Sequence, residues 1–300
     1  MENYLSLKDG SPIGFIVNSD KKYNNQLLCI GDKKGDLPIT YHDVLLKLQI
    51  EKSKTELAKY ERAVYYLSKS IDPPRKLLKE VSEVQDLKEE LQSKVFSIPK
   101  GDIEPVPNLK SRDIYYIAAP SGSGKTVFCS KYAMNYNKIY PDNKIFVFSR
   151  LNEDPVLDML PNLKRVDIKM LTPESVNLDL FTNSLVIFDD CETIPDKKQA
   201  GLVRAIMEDL LECGRHKNAS LLITSHLINK NDKTRIIMNE LKNLVIFPGG
   251  QIHGITYCLQ QYLGFSKQFI QQILKIRSRW INIHTHHPRY VMWETGCFLL

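Results

Sequence analysis

The segment Ala119-Pro-Ser-Gly-Ser-Gly-Lys-Thr126 constrains this chain more than any other. It follows an apolar run, Ile114–Ala119, and opens a stretch with helical patterning. Gly122 and Gly124 let the backbone curl so that successive N–H groups face one point, an anion-binding concavity. The helix that begins there adds the positive end of its dipole. Lys125 can reach the β- and γ-phosphates of a nucleotide, and the Thr126 hydroxyl can ligate Mg²⁺. Ser121, Gly122, Ser123, Gly124, Lys125, Thr126 and Val127 form the expected phosphate cradle. The first position of the pattern, ordinarily Gly, is Ala119 here, and that position mainly needs a small residue.

A second signal is Ser184-Leu-Val-Ile-Phe-Asp-Asp190. An apolar strand ending in acids delivers carboxylates to its C-terminal edge. Asp189 is expected to hold Mg²⁺ through water and Asp190 to polarise an attacking water. Glu192 is a rival for that base. The third signal runs from Gly214-Arg-His to Ser225-His226. A helix from about Lys198 ends at Gly214, and a strand then carries polar groups to its end. His226 is a candidate sensor of the γ-phosphate, or a solvent-facing His. Arg215, on a tight turn, is a candidate finger for a neighbouring subunit, or a cation favourable to the helix end.

Around these signals, short β-rich runs alternate with helical stretches. The runs fall at Ile114–Ala119, Lys144–Phe148, Leu185–Phe188, Leu221–Thr224 and Leu244–Phe247. The expected fold class is therefore α/β, a P-loop parallel sheet covered by helices on both faces. A small N-terminal β plus helical-hairpin module is expected before it. The boundaries are residues 1–40 for a β-rich segment and 41–98 for a charged helical hairpin broken at Pro73-Pro74. Residues 99–112 are expected as a Pro-rich linker, and 113–300 as the ATPase domain.

Composition limits the alternatives. A hydrophobic content of 43% supports a core and excludes a disordered chain. The six cysteines are scattered with no C-x-x-C pair, which argues for reduced thiols and against a zinc ribbon. No apolar run is long enough for a transmembrane helix, and residues 1–10 lack a secretory apolar core, so a chain that is not secreted is expected. Net charge is +6, and residues 227–300 hold 9 basic against 3 acidic side chains, a mild invitation to a polyanion. Lys275, Arg277, Arg279 and Arg289, with Trp280 and Tyr290 among them, could meet a DNA backbone or line a solvated hairpin. His284, His286 and His287 suggest a polar strand end more than a metal site, having no acid or Cys at ligand spacing.

Taken together, these segments resemble the viral genome-packaging ATPases of large eukaryotic DNA viruses. Those are relatives of the poxvirus packaging ATPase within the FtsK/HerA superfamily. The resemblance covers about residues 113–295. It rests on Ser121–Thr126, Phe148-Ser-Arg150 with Glu153-Asp-Pro155, Ile187–Asp190, Gly214-Arg-His216, Phe247-Pro248, Ser278-Arg-Trp280 and Pro288-Arg-Tyr-Val291. It implies ATP at the cradle, Mg²⁺ at Thr126 and Asp189, and an arginine finger at Arg215. It further implies a ring of identical subunits acting on double-stranded DNA at a capsid portal or vertex protein. The setting would be the host-cell cytoplasm or a virus factory, with virion association. The family often has Gln where this chain has His226. A P-loop switch acting on a protein partner is the contrasting expectation, and a small-molecule kinase is a weaker third, with no Arg-rich lid in view.

Overall fold

A computed structural model describes residues 2–34, 37, 39–173, 177–228 and 232–300. Three strands open the chain: β1 (Tyr4–Ser6), β2 (Ser11–Val17) and β3 (Leu27–Gly31). Three helices follow, α1 (Tyr41–Glu51), α2 (Lys54–Lys69) and α3 (Leu78–Glu90). Where a hairpin of two helices is expected, the structure has three. Ser53 and Glu56 form a reciprocal capping box that starts α2 immediately after α1. The three pack on a small core of their own that includes Val44, Leu48, Ala63, Val64 and Val84.

Next come β4 (Val95–Ser97), β5 (Asp102–Pro105), β6 (Ile114–Ala118), α4 (Lys125–Ile139), β7 (Ile145–Ser149) and β8 (Leu163–Arg165). Then follow β9 (Leu185–Asp189), α5 (Lys197–Cys213), β10 (Ser220–Ser225), α6 (Asp232–Glu240) and β11 (Asn243–Ile246). The last elements are α7 (Ile252–Gln261), α8 (Lys267–Ile273), β12 (Ile281–His284), β13 (Tyr290–Trp293) and β14 (Gly296–Leu299).

The strands form two sheets. One has four strands in the order β1-β3-β2-β5. The other has ten in the order β4-β14-β13-β12-β11-β6-β10-β9-β7-β8. From β11 to β8 the neighbours run parallel, and from β11 through β12, β13 and β14 to β4 they run antiparallel. The parallel strands β6, β9 and β10 are buried at every position, so they read as continuous apolar runs rather than alternating ones. Alternation then divides their side chains between two faces. Tyr115, Ile117, Ile187 and Leu222 share a core with Phe128 and Tyr132 of α4. Tyr116, Phe188, Leu221 and Ile223 share another with Val203 and Leu210 of α5 and Ile237 of α6. This is the expected P-loop α/β sheet covered on both faces.

The expected linker at 99–112 is different in the structure. Asp102–Pro105 is an edge strand paired with β2, and Val95–Ser97 closes the far edge of the large sheet against β14. Pro99 and Gly101 mark a turn between two strands, and such punctuation looks the same in sequence as a tether. The small sheet shares its core with the large one: Leu5, Ile16, Leu28 and Ile103 belong to the same buried cluster as Tyr115, Phe128 and Trp280. The N-terminal strands therefore cover part of the sheet instead of hanging from it.

Candidate nucleotide site

The site lies at the C-terminal edge of the parallel strands. β6 ends at Ala118, and residues 119–124 curl back to the start of α4. Gly122 and Gly124 have φ of +77° and +101°, in the left-handed region that a Cβ disfavours. Packing adds little to that requirement, since a Cβ at Gly122 would meet nothing within 4 Å. Pro120 is braced by the turn after β11, where a Cβ at Gly250 would stand 2.9 Å from the proline ring. Ser121 and Gly122 are exposed, Ser123, Gly124 and Thr126 half-buried, and Val127 is exposed on the first turn of α4.

Lys125 is only 5% exposed. Its ammonium donates to the Ala119 carbonyl at 3.0 Å and lies 3.6 Å from an Asp190 carboxylate oxygen. It also lies 3.4 Å from His226 Nδ1, and His226 Nε2 is 3.1 Å from the same Asp190 oxygen. These contacts suit the tautomer with hydrogen on Nε2, so that Nδ1 accepts from Lys125 and Nε2 donates to Asp190. Lys125, Asp190 and His226 thus form one closed triangle.

Asp189 and Asp190 diverge at the end of β9. Asp189 stays in strand register and points to the α4 face. Burial, and then the neighbouring Asp190 charge, raise its carboxyl above the usual carboxylate range. Ser149 Oγ donates to Asp189 Oδ2 at 3.3 Å and Thr224 Oγ1 to Oδ1 at 3.1 Å. Asp190 adopts a left-handed conformation (φ +44°), which breaks the alternation and turns its carboxylate toward Lys125. Its amide donates to Thr224 Oγ1 at 2.8 Å, and the same hydroxyl lies 3.2 Å from Asp190 Oδ1. Thr224 therefore ties the two acids to the neighbouring strand.

Glu192 takes another position. Its carboxylate accepts from Ser225 Oγ at 2.7 Å and from the His226 amide at 2.9 Å. Arg215 is not brought to this edge at all. It is exposed in a single 3₁₀ turn before β10, at the N-terminal edge of the sheet. The six residues of β10 put it roughly 17 Å or more from its own chain's phosphate loop. Beside it, Arg112 donates to the Leu210 and Leu211 carbonyls and closes the end of α5.

The basic set near the C-terminus is largely committed elsewhere. Trp280 is buried edge-on against Phe128 of α4. Tyr290 stacks on His284, which bonds Asn243 at 3.0 Å, and burial lowers the His284 pKa to about 4. Arg279 pairs with Glu294, and Arg289 lies over the Phe265 ring. Lys275 and Arg277 are exposed.

Ser149, Thr224 and Ser225 lie in segments that the sequence marks but to which it gives no role, and Gln251 carries no mark at all. Ser149 and Thr224 hold the two acids, Ser225 holds Glu192, and Gln251 sits in the turn after β11. The only signal for the three hydroxyls is their place at the end of an otherwise apolar strand.

No family model matches the chain. The chain is 40% identical over 204 residues to the uncharacterized protein V3 of Sputnik virophage, covering 66% of this chain and 82% of the relative. The chain belongs to the family of that virophage protein. The solved structures similar to this V3 family member include the genome packaging NTPase B204 of Sulfolobus turreted icosahedral virus 2 in complex with sulfate. That alignment has 13% identity and a TM-score of 0.44, and covers 61% of this chain and 96% of B204. Another is the conjugation coupling protein TcpA of pCW3 with ATPgS, at 11% identity and a TM-score of 0.45, covering 68% of this chain and 66% of TcpA. As for a metal, Asp189 suits the Mg²⁺ expected there, and Thr126 stands half-buried on the first turn of α4. A buried carboxylate, held by two hydroxyls and pushed toward protonation by burial, is one that a cation would stabilise.

Proposed function

We propose that the protein is an ATP-hydrolysing motor that packages double-stranded viral DNA into a capsid as a ring of identical subunits. The observation that carries the ATPase part is the Lys125–Asp190–His226 triangle, set on a glycine-turned loop at a helix N-terminus. The arriving triphosphate takes up the loop amides and draws Lys125 from Asp190. Released from Lys125, Asp190 orients and polarises the attacking water, and His226 stays in reach of the γ-phosphate. Mg²⁺ held by Thr126 and Asp189 would supply charge neutralisation on the β- and γ-oxygens. Arg215, exposed and remote from its own chain's loop, supports a role in a neighbour's site.

The DNA-packaging part rests on the motif resemblance, above all Phe188-Asp-Asp190 with Gly214-Arg-His216. Lys275 and Arg277 are exposed, as is Arg279, which pairs with Glu294, and the first two are the first candidates for phosphate contact. A capsid portal or vertex protein is the proposed dock, and a virus factory the proposed setting. ATP turnover measured with and without linear double-stranded DNA tests the proposal. DNA stimulation that weakens with salt is expected. ATP turnover indifferent to DNA would leave the P-loop switch acting on a protein partner.

A further inference from the structure

The strand end that carries His226 is gripped from two sides. On one side, Glu192 accepts from Ser225 Oγ and from the His226 amide. On the other, the Gln251 side-chain amide donates to the His226 carbonyl, and its oxygen accepts from the Ile228 amide at 3.3 Å. Gln251 itself is held in a left-handed conformation at the start of α7, just after Gly250, where a Cβ would collide with Pro120 of the phosphate loop. Four groups on Ser225, His226 and Ile228 are therefore held by side chains from two other turns, and His226 is held from both sides.

Strand alternation places Ser225, the hydroxyl partner of Glu192, on the face away from Lys125. Asp189 and Thr224 lie on the face covered by α4, whose first turn holds Lys125. Ser225 lies on the opposite face, with Ile223, under α5 and α6. Glu192, bonded to Ser225, lines a cavity of about 180 Å³ walled by Tyr116, Val203 and Ile237 and reached by Thr224. A base for water attack on a γ-phosphate must lie on the Lys125 side. We propose that Glu192 and Gln251 are positioning residues that clamp the Ser225–Ile228 strand end and hold the His226 imidazole between Lys125 and Asp190. Asp190, not Glu192, is then the group that acts on water. This inference rests on the site's reading as one that hydrolyses ATP.

The test uses the full chain and two readouts. Steady-state ATP turnover is measured for Glu192→Ala, Glu192→Gln, Gln251→Ala and His226→Ala. The His226 Cε1–H NMR signal, assigned by its loss in His226→Ala, is followed without nucleotide. Loss of positioning is expected to lower kcat about tenfold to a hundredfold in Glu192→Ala and Gln251→Ala, with KM for ATP changed less than about twofold. Glutamine keeps an acceptor for the His226 amide and turns a donor to Ser225 Oγ, so Glu192→Gln should recover to within about threefold of wild type. In the His226→Ala background, Glu192→Ala should cost no more than about twofold further, because both act through one group.

The His226 signal should move in Glu192→Ala and Gln251→Ala and return in Glu192→Gln. A Glu192→Gln protein as inactive as Glu192→Ala would make Glu192 the base and overturn the proposal. An unmoved His226 signal in Glu192→Ala would overturn it too. Should Glu192→Ala fail to fold, Glu192→Gln against wild type still decides between clamp and base. A wild-type protein with no ATP turnover would sink the ATPase reading, while the NMR signal would still report whether the clamp holds His226.

Discussion

The two halves of the ten-stranded sheet bury polar side chains in opposite ways. In the antiparallel half, Asn243 accepts from the Asn282 side-chain amide at 3.2 Å and bonds His284, which stacks on Tyr290. Those groups join sheet neighbours and carry no charged pair, although the Asn282 side-chain oxygen is buried without a hydrogen-bond partner. In the parallel half, Asp189, Asp190, Lys125 and His226 converge, with two neighbouring carboxylates and one ammonium among them. Buried charge without full pairing is costly, so a fold keeps it where it serves chemistry. One half spends its polar groups on cohesion and the other on a site.

Arg215 offers the hardest challenge to that contrast, because it belongs to neither half's cluster. An arginine finger is worth roughly 10³–10⁵ in rate where it is used. Arg215→Ala is expected to lose turnover on that scale while keeping ATP affinity. Mixing it with Asp190→Asn should restore activity, each subunit lending what the other lacks. No recovery in mixed rings, or normal turnover in Arg215→Ala, would return Arg215 to a helix-end cation.

Lys125→Ala breaks the parallel cluster directly. Loss of one preorganised donor to a developing phosphate charge costs about 10²–10³ in kcat. Its melting temperature should fall by only about 2–4 °C, because Asp190 loses its ammonium but keeps His226 and some solvent. Thermal denaturation beside the ATPase assay checks this. A large loss of stability would mean that Lys125 is part of the cohesion as well.

The antiparallel cluster should respond through stability instead. Burial lowers the His284 pKa from 6.5 to about 4, so the folded state favours the neutral ring. The stability this gives is complete above pH 6.5 and is lost as pH falls toward 4. His284→Gln removes that titration. Between pH 7 and 4 its melting temperature should fall less than wild type's, by on the order of 5 °C. An identical fall would place the acid sensitivity elsewhere.

The smallest effect sharpens the contrast. Asp189 has its folded-state pKa raised, so its ionised form costs stability at neutral pH, and that cost fades as pH falls through the raised value. Asp189→Asn should raise the nucleotide-free melting temperature at pH 7 by about 2 °C, with less gain at pH 4, while abolishing Mg²⁺-dependent turnover. A destabilised Asp189→Asn would show that the Ser149 and Thr224 bonds outweigh the buried charge.

The sequence made the parallel half legible because its strands are unbroken apolar runs and its loop has a spacing that few other functions require. Ile114–Ala119 and Leu185–Phe188 mark strands by their residues alone, and Gly122 and Gly124 mark a turn. The short strands Val95–Ser97 and Asp102–Pro105 were not legible, since three or four residues beside Pro and Gly carry no period. The links through Thr224, Ser149 and Gln251 depend on which strands and turns become neighbours. That is decided by sheet order, not by nearby residues.

The self-contained triangle at Lys125 has one more consequence. Without nucleotide, its single ammonium is already engaged by the Asp190 carboxylate, by the Ala119 carbonyl and by the His226 ring. A phosphodiester of a DNA backbone brings one negative charge to that competition, the same as the carboxylate it would have to displace. A triphosphate brings more charge and engages the loop amides at several points. The site thus carries its own plug against the polymer proposed to thread past it, and the selectivity comes from its acid and its imidazole as much as from its glycines.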